Sequence, residues 1–255
     1  MKEKTLRIVL PVIAVLLFLI GWSAYVRTSE VSAFVLPAPE QILLALSDMI
    51  ADPDLWYHTR VTMTEAVAGF GIAVGLGITL GFVMARVPPV EWAAKPFIVL
   101  MQLIPKIALA PLFVLWFGFG LESKIVIAAA LAFFPVFSNA LQAFKSVDPG
   151  DRDVMTMLQA NPWQRFVMLD LPRALPVVLT GTEVAVVMAM IGAIVGEFIG
   201  GSEGLGYLAV MHLQNLAVPQ LFAVIVVLTL VGLALYAVIS QLRRWLTPWH
   251  VSVIG

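Results

Sequence analysis

The chain is 255 residues long, 61% hydrophobic and only 12% charged, with a formal net charge of −1. Soluble domains carry about 25% charged residues, so a chain this apolar cannot cover itself in water and its solvent is a membrane. The balanced charge excludes a basic nucleic-acid face, and the absence of cysteine excludes disulfides, thiolate metal sites and a cysteine nucleophile.

A membrane helix needs about 20 mostly apolar residues, and five or six such stretches occur. Ile8–Val26 is the first and is uncharged. Val31-Ser32-Ala33 resembles a signal-peptide cleavage site, but signal cores run about 7–15 residues, so a retained helix is expected. Between Arg27 and Thr64, Pro39 sits at a helix start and Ile42, Leu43, Leu46, Met49 and Ile50 recur at helical spacing. That pattern is a short amphipathic helix, lying on the membrane or packed under the bundle. The second span, Ala66–Ala85, carries the pairs Gly71/Gly75 and Gly77/Gly81, which let another helix approach closely, within the subunit rather than across a dimer seam.

The third span, Phe97–Phe117, holds Lys106 between Pro105 and Pro111, and the fourth, Ile125–Phe144, holds Pro135. Two readings of Lys106 stand open: it faces a cavity where prolines break the backbone, or it snorkels to the membrane boundary. Ser138 and Asn139 are read as packing or pathway polar groups.

Asp153 to Pro176 is the most polar sizeable stretch of the second half. Asp148-Pro149 and Asn161-Pro162 are each an N-cap followed by proline. The first helix aligns Val154, Met157 and Leu158; the second aligns Trp163, Phe166 and Val167 and is expected to stop before Leu171-Pro172. Trp163 looks like a buried aromatic. An amphipathic hairpin of this kind fits a groove in a partner, the membrane surface, or its own helix ends.

The fifth span, Leu175–Ile199, holds Glu183 and Glu197, about 40° apart around the helix and about 21 Å apart along it. They share a face with Val187, Met190 and Ile194, expected toward a pathway or a dimer partner. The separation excludes a glycosidase pair. Glu197 is expected exposed at the membrane boundary. Glu183 lies deeper, as a functional acid or in an ion pair with Lys106 or Arg173. Leu221–Ser240 is the sixth span.

With the N-terminus inside, eleven Lys and Arg residues fall inside, only Arg27, Arg60 and Lys124 fall outside, and Lys106 stays within the membrane. The positive-inside rule then places both termini and the polar hairpin in the cytoplasm.

The residues also carry a resemblance. Asp148 to Gly181 resembles the EAA loop of binding-protein-dependent ABC importer permeases: Leu171, Pro172, Pro176 and Gly181 match its tail, and Trp163-Gln164-Arg165-Phe166 its segment after the turn. Val35–Pro39, Ile104–Leu112, Trp116-Phe117-Gly118, Phe133-Phe134-Pro135 and Gly204–Tyr207 extend the similarity over nearly the whole chain, toward the nitrate, sulfonate and taurine branch. Two positions depart: the E-A-A stretch reads Asp153-Val154-Met155, and Gln159 stands at the usual turn glycine, where a left-handed backbone is mildly unfavourable.

The resemblance implies an all-α membrane protein, a six-helix polytopic bundle of the type I importer kind. It implies an N-terminal helix and extracytoplasmic segment (1–60), a five-helix permease core (61–245) with its coupling loop at 148–181, and a cytoplasmic tail (246–255). It implies an inner-membrane homodimer, two ABC ATPases that bind the ATP, and an extracytoplasmic binding protein, with no cofactor or metal and no catalysis by this chain. Asp153, Val154, Met157, Leu158, Gln159, Ala160 and Trp163, with Leu171, Pro172, Pro176 and Gly181, would form the ATPase-coupling loop. Pro105, Lys106, Ser138, Asn139, Glu183, Met190 and Glu197 are the pathway candidates, for a small solute such as an anion or a vitamin precursor.

Rival classes are weaker. A proton-coupled transporter would use Glu183 and Lys106 as its relay; an intramembrane enzyme lacks a nucleophile–base pair near Ser138; a scaffold needs no coupling loop. There is no phosphate-binding loop, since Gly201–Gly206 is followed by Tyr207 and not by lysine. His58, His212 and His250 have no metal-ligand spacing.

Overall fold

Proline and capping side chains set most of the helix boundaries. In the computed structural model, which describes residues 2–249 and side chains from Val9 onward, the described residues form eleven α-helices and no strand. Helix α1 (Lys2–Thr28) is followed by α2 (Pro39–Ile50), which starts where the Gln41 side chain accepts from the Ala38 N–H at 2.9 Å. Asp52 caps α3 (Pro53–Arg86) by accepting from the Asp54 N–H at 3.0 Å. Then come α4 (Pro88–Leu103), a 3₁₀ turn (Lys106–Leu109), α5 (Ala110–Phe117) and α6 (Leu121–Lys145). Helices α7 (Pro149–Met157) and α8 (Pro162–Arg165), a π turn (Phe166–Asp170), α9 (Leu171–Gly200), α10 (Leu205–Gln214) and α11 (Val218–Leu246) complete the described chain. The tail expected over 246–255 lies outside the described residues beyond Trp249.

Five runs are singly long and apolar enough to cross a membrane: α1, α3, α6, α8 through α9, and α11. The sixth is not the continuous helix expected over Phe97–Phe117. It is broken into α4 and the turn with α5, bent by 84°. The residue before a proline is pushed out of the helical region, and Ile104 is extended at φ −68°, ψ 125° ahead of Pro105. The broken segment still runs from one end of the bundle to the other. Glu91 of α4 meets Lys145 Nζ at 2.6 Å at one end, while Phe119, just after α5, lies against Gly200 at the other.

The centre is a seam of α3, α6 and α9 with almost no side-chain bulk, in which Ala66, Ala73, Ala128, Ala132, Ala185, Ala189 and Ala193 are buried. Lipid gives apolar helices no hydrophobic reason to associate, so close packing must hold them. Ala128 is clasped from both sides: a Cβ on Gly69 would sit 2.5 Å from its Cβ, and one on Gly192 would sit 2.6 Å from its Cα. Of the two expected glycine pairs, Gly77/Gly81 does meet α6, at Val136 and Ala140, but Gly71 and Gly75 face open space. The contact residues of α3 are Gly69, Gly77 and Gly81, because these follow the stripe that α6 covers.

Helix α2 packs on the bundle rather than lying free. Ile42 and Ala45 are buried against Ala223 of α11, while Leu43 and Ile50 point outward. Arg27 donates to Glu40 at 2.5 Å, tying α1 to α2 and holding the Glu40 carboxyl below its usual value. The hairpin's second helix does not stop before Leu171-Pro172. It continues through the π turn into α9, the Leu171 N–H reaching back to the Phe166 carbonyl. A wider turn absorbs the proline without ending the helix.

Replacing Gly192 by leucine should unfold the seam, an overpacking of roughly 3 kcal/mol or more, whereas Gly71→Leu should change stability by no more than about 0.5 kcal/mol. Thermal unfolding of the two variants in detergent checks the contrast.

Candidate functional site

Three polar features stand out on this apolar frame: a braced hairpin at one end, a cavity at mid-depth, and a buried polar knot at the far end. The hairpin is α7, a turn, α8 and the π turn. Asp148 accepts from the Gly150 N–H at 2.6 Å and starts α7; Asn161 and Gln164 cap α8 reciprocally, both bonds at 2.9 Å. Gln159 takes the left-handed conformation at φ +52°, so the turn keeps its geometry although glycine is absent. The Ala160 N–H returns to the Met155 carbonyl and the Gln159 N–H to Thr156, the paired bonds of a Schellman motif.

Its root is fastened by Asp170, which is buried and ion-paired with Arg86, with Arg152 Nε 4.0 Å away. Arg152 also donates to the Phe144 carbonyl at 3.1 Å, and Arg173 pairs with Asp151 at 2.8 Å. Phe166 wedges against Phe82, which in turn meets Phe144 edge-on. With the root held, the apolar tip projects. Met157, Leu158 and Trp163 are 83, 71 and 70% exposed, and Asp153 and Val154 are exposed beside them. Trp163 is thus not the buried aromatic expected. Capping both short helices through their own polar side chains leaves its indole outside. Pro172 and Pro176 lie in the first turns of α9, and Gly181 lets α9 touch α6, where a Cβ would fall 2.9 Å from the Pro135 carbonyl oxygen.

At mid-depth the α4–α5 break opens two adjoining cavities that share Lys106 and Phe134. One, about 380 Å³, is lined by apolar side chains such as Leu76, Met101, Phe113 and Phe133. The other, about 520 Å³, adds Gln102, Pro105, Pro135 and Ser138. Lys106 is half-buried, its Nζ 4.4 Å from the centre of the Phe134 ring. Asn139 turns to the α6–α9 seam and donates to the Pro135 carbonyl at 2.8 Å, and Met190 is buried in the central seam. The face expected to hold Glu183, Val187, Met190, Ile194 and Glu197 together is divided: Val187 is exposed while Glu183, Met190 and Glu197 are buried.

The two acids of α9 have other partners than expected. Glu183 pairs with Arg243 Nε of α11 at 3.1 Å, not with Lys106 or Arg173. Glu197 is 1% exposed rather than open at the boundary. It accepts from Thr62 Oγ1 at 2.6 Å and from the Gly206 N–H at 2.5 Å. Thr62 Oγ1 accepts from the Leu205 N–H, and His58 Nδ1 from the Gly204 N–H. Three successive backbone donors at the start of α10 are therefore held by side chains of α3 and α9. Beside them Lys124 Nζ lies 3.1 Å from Glu65, both side chains buried. The exposure expected for Glu197 failed because α10 folds back over the end of α9 and supplies the donors that burial requires.

No group of three or more His, Asp or Glu side chains able to hold a metal ion occurs among the described residues. The rival proton relay has no geometry: Glu183 and Lys106 each face a different partner.

The fold is that of ABC importer permeases. The inward-facing MetNI methionine ABC transporter superposes with a TM-score of 0.60 at 19% identity, over 76% of this chain and 94% of that one. Residues 73–250 match the family model described as "Binding-protein-dependent transport system inner membrane component". The formylaminopyrimidine transport permease protein ThiX of Halalkalibacterium halodurans is 35% identical over 94% of this chain and 95% of its own length. The riboflavin transport system permease protein RibX of Chloroflexus aurantiacus is 35% identical, over 94% and 90%. The taurine permease TauC of Escherichia coli is 31% identical, over 91% and 86%. The chain belongs to this family of inner-membrane components and is the non-catalytic permease subunit of an ABC importer. Membership implies an ATPase subunit and a substrate-binding protein as partners.

Sequence reasoning missed Asp170, Arg86, Glu65, Lys124, Thr62 and His58. The one available signal was the presence of acids and bases at similar depths on different spans; nothing local pairs them. Glu197→Ala should strip the Gly206 N–H and the Thr62 hydroxyl of their acceptor at a cost of about 2–3 kcal/mol. Limited proteolysis should then cut within 201–206 faster than in the unaltered protein.

Proposed function

We propose that the hairpin is the element through which the ATPase drives this permease. Its exposed apolar tip on a braced root is the observation that carries the reading: Val154, Met157, Leu158 and Trp163 enter a groove of the ATPase, with Asp153, Gln159 and Ala160 shaping the turn. Leu171, Pro172, Pro176 and Gly181 carry that displacement into α9. Two copies of the chain form the pathway, with both termini cytoplasmic, a reading supported by the lysine and arginine bias. The exposed Leu103, Leu115 and Trp116 around the break offer a second copy its packing surface. The cargo is a small organic solute handed over by the extracytoplasmic binding protein; the relatives' names span a pyrimidine, riboflavin and taurine. It passes the α4–α5 break beside Pro105, Lys106 and Ser138.

Apolar side chains seated in a groove contribute about 1.5–3 kcal/mol each, and a carboxylate there is unpaired and buried. Met157→Asp with Leu158→Asp should therefore abolish co-purification of the ATPase in mild detergent while leaving the thermal unfolding of the permease unchanged. An intact, active complex would show that the tip is not the contact.

A further inference from the structure

The cavity at the α4–α5 break has a chemistry of its own, and this inference rests on the permease reading given above. Cations at depth in this bundle are matched by acids: Arg86 by Asp170, Lys124 by Glu65, Arg243 by Glu183. Lys106 differs. Among the described residues no carboxylate pairs with it, and its neighbour is the face of Phe134. A ring face within about 6 Å attracts an ammonium, but it occupies one side and leaves donors of the three N–H groups free. An unmatched cation at membrane depth is unfavourable.

The surroundings specify what would match it. Gln102 and Ser138, further donors for an acceptor group, line one of the two cavities that share Lys106. The other is the apolar chamber of about 380 Å³, within the size range of small-molecule pockets. Pro105 fixes this arrangement by breaking the helix where Lys106 turns inward.

We propose that Lys106, Phe134, Gln102 and Ser138 form a substrate station for an organic anion with one anionic head and an apolar or aromatic body. The head meets Lys106 on the side away from the ring, and the body fills the chamber. A bare inorganic anion leaves the chamber empty, and a neutral solute leaves the ammonium unmatched. Specificity then resides partly in this subunit. An anionic lipid carries the same chemistry of head and chain, and the test separates the two sources.

The probe is radiolabelled hexanesulfonate, bound to the permease–ATPase complex in phosphatidylcholine nanodiscs. Saturable binding is expected, weakened by Lys106→Met about 10- to 100-fold, the range of one charge-assisted hydrogen bond. Lys106→Arg should hold it within about threefold if charge rather than shape is read. Sulfate and neutral hexanesulfonamide should compete at least about tenfold less well than unlabelled hexanesulfonate. Lack of saturable binding, equal binding by Lys106→Met, or equal competition by the sulfonamide overturns the proposal. Displacement of the probe when phosphatidylglycerol enters the nanodisc assigns the site to lipid and overturns it as a transport station. ATPase co-purification, scored on the same preparations, reports on the permease reading separately: loss of the ATPase fails that reading, whereas an intact complex without Lys106-dependent binding fails only the station.

Discussion

Ala128 between Gly69 and Gly192 is the contact on which the remaining geometry depends. Within lipid, three apolar helices have no solvent to escape from, so dispersion at close range and a few buried polar contacts must hold them. Side chains at Gly69 and Gly192 would push α3 and α9 away from Ala128 of α6 and loosen everything mounted on them. Glycine and alanine in the seam are thus a requirement of the solvent, and they set the positions of both polar ends.

Each end uses a buried acid as a fastener. At the hairpin end Asp170 meets Arg86 and lies near Arg152; at the far end Glu197 gathers Thr62 and Gly206, beside Glu65 and Lys124. Removing one partner of such a buried group is far more damaging than never having had the pair, so these charges hold loops in one arrangement. Both acids lie on one run of helix: Asp170 closes the π turn, and α9 carries on from Leu171 to Gly200. At about 1.5 Å per residue, that helix links the hairpin to the loop that opens α10. Among the described residues Asp170 and Glu197 each hold a loop, whereas Lys106 meets an aromatic ring.

Much of this could be read locally. Asp148-Pro149, Asn161-Pro162 and Pro39 start helices where expected because a cap and a fixed proline φ act within three or four residues. The left-handed turn at Gln159 survived the loss of glycine because its hydrogen bonds outweigh a mild backbone penalty. The α4–α5 break could have been read from Ile104-Pro105, yet a mostly apolar run resembles an intact span when only hydropathy is scored. The π turn likewise hid behind Leu171-Pro172, which reads as a stop unless tertiary contacts such as Phe166 on Phe82 hold the chain helical through it.

The sequence by itself determined the solvent, the places of the apolar runs, the caps and the apolar tip of the hairpin, because hydropathy and capping act over one turn or one span. Only the tertiary structure decided which charges meet. Glu183 found Arg243 sixty residues away, Glu197 was buried under α10, and Lys106 was left with an aromatic ring. Pairing at membrane depth depends on how the helices rotate against one another, and that rotation is set by the small-residue seam as a whole, not by any residue near the charge.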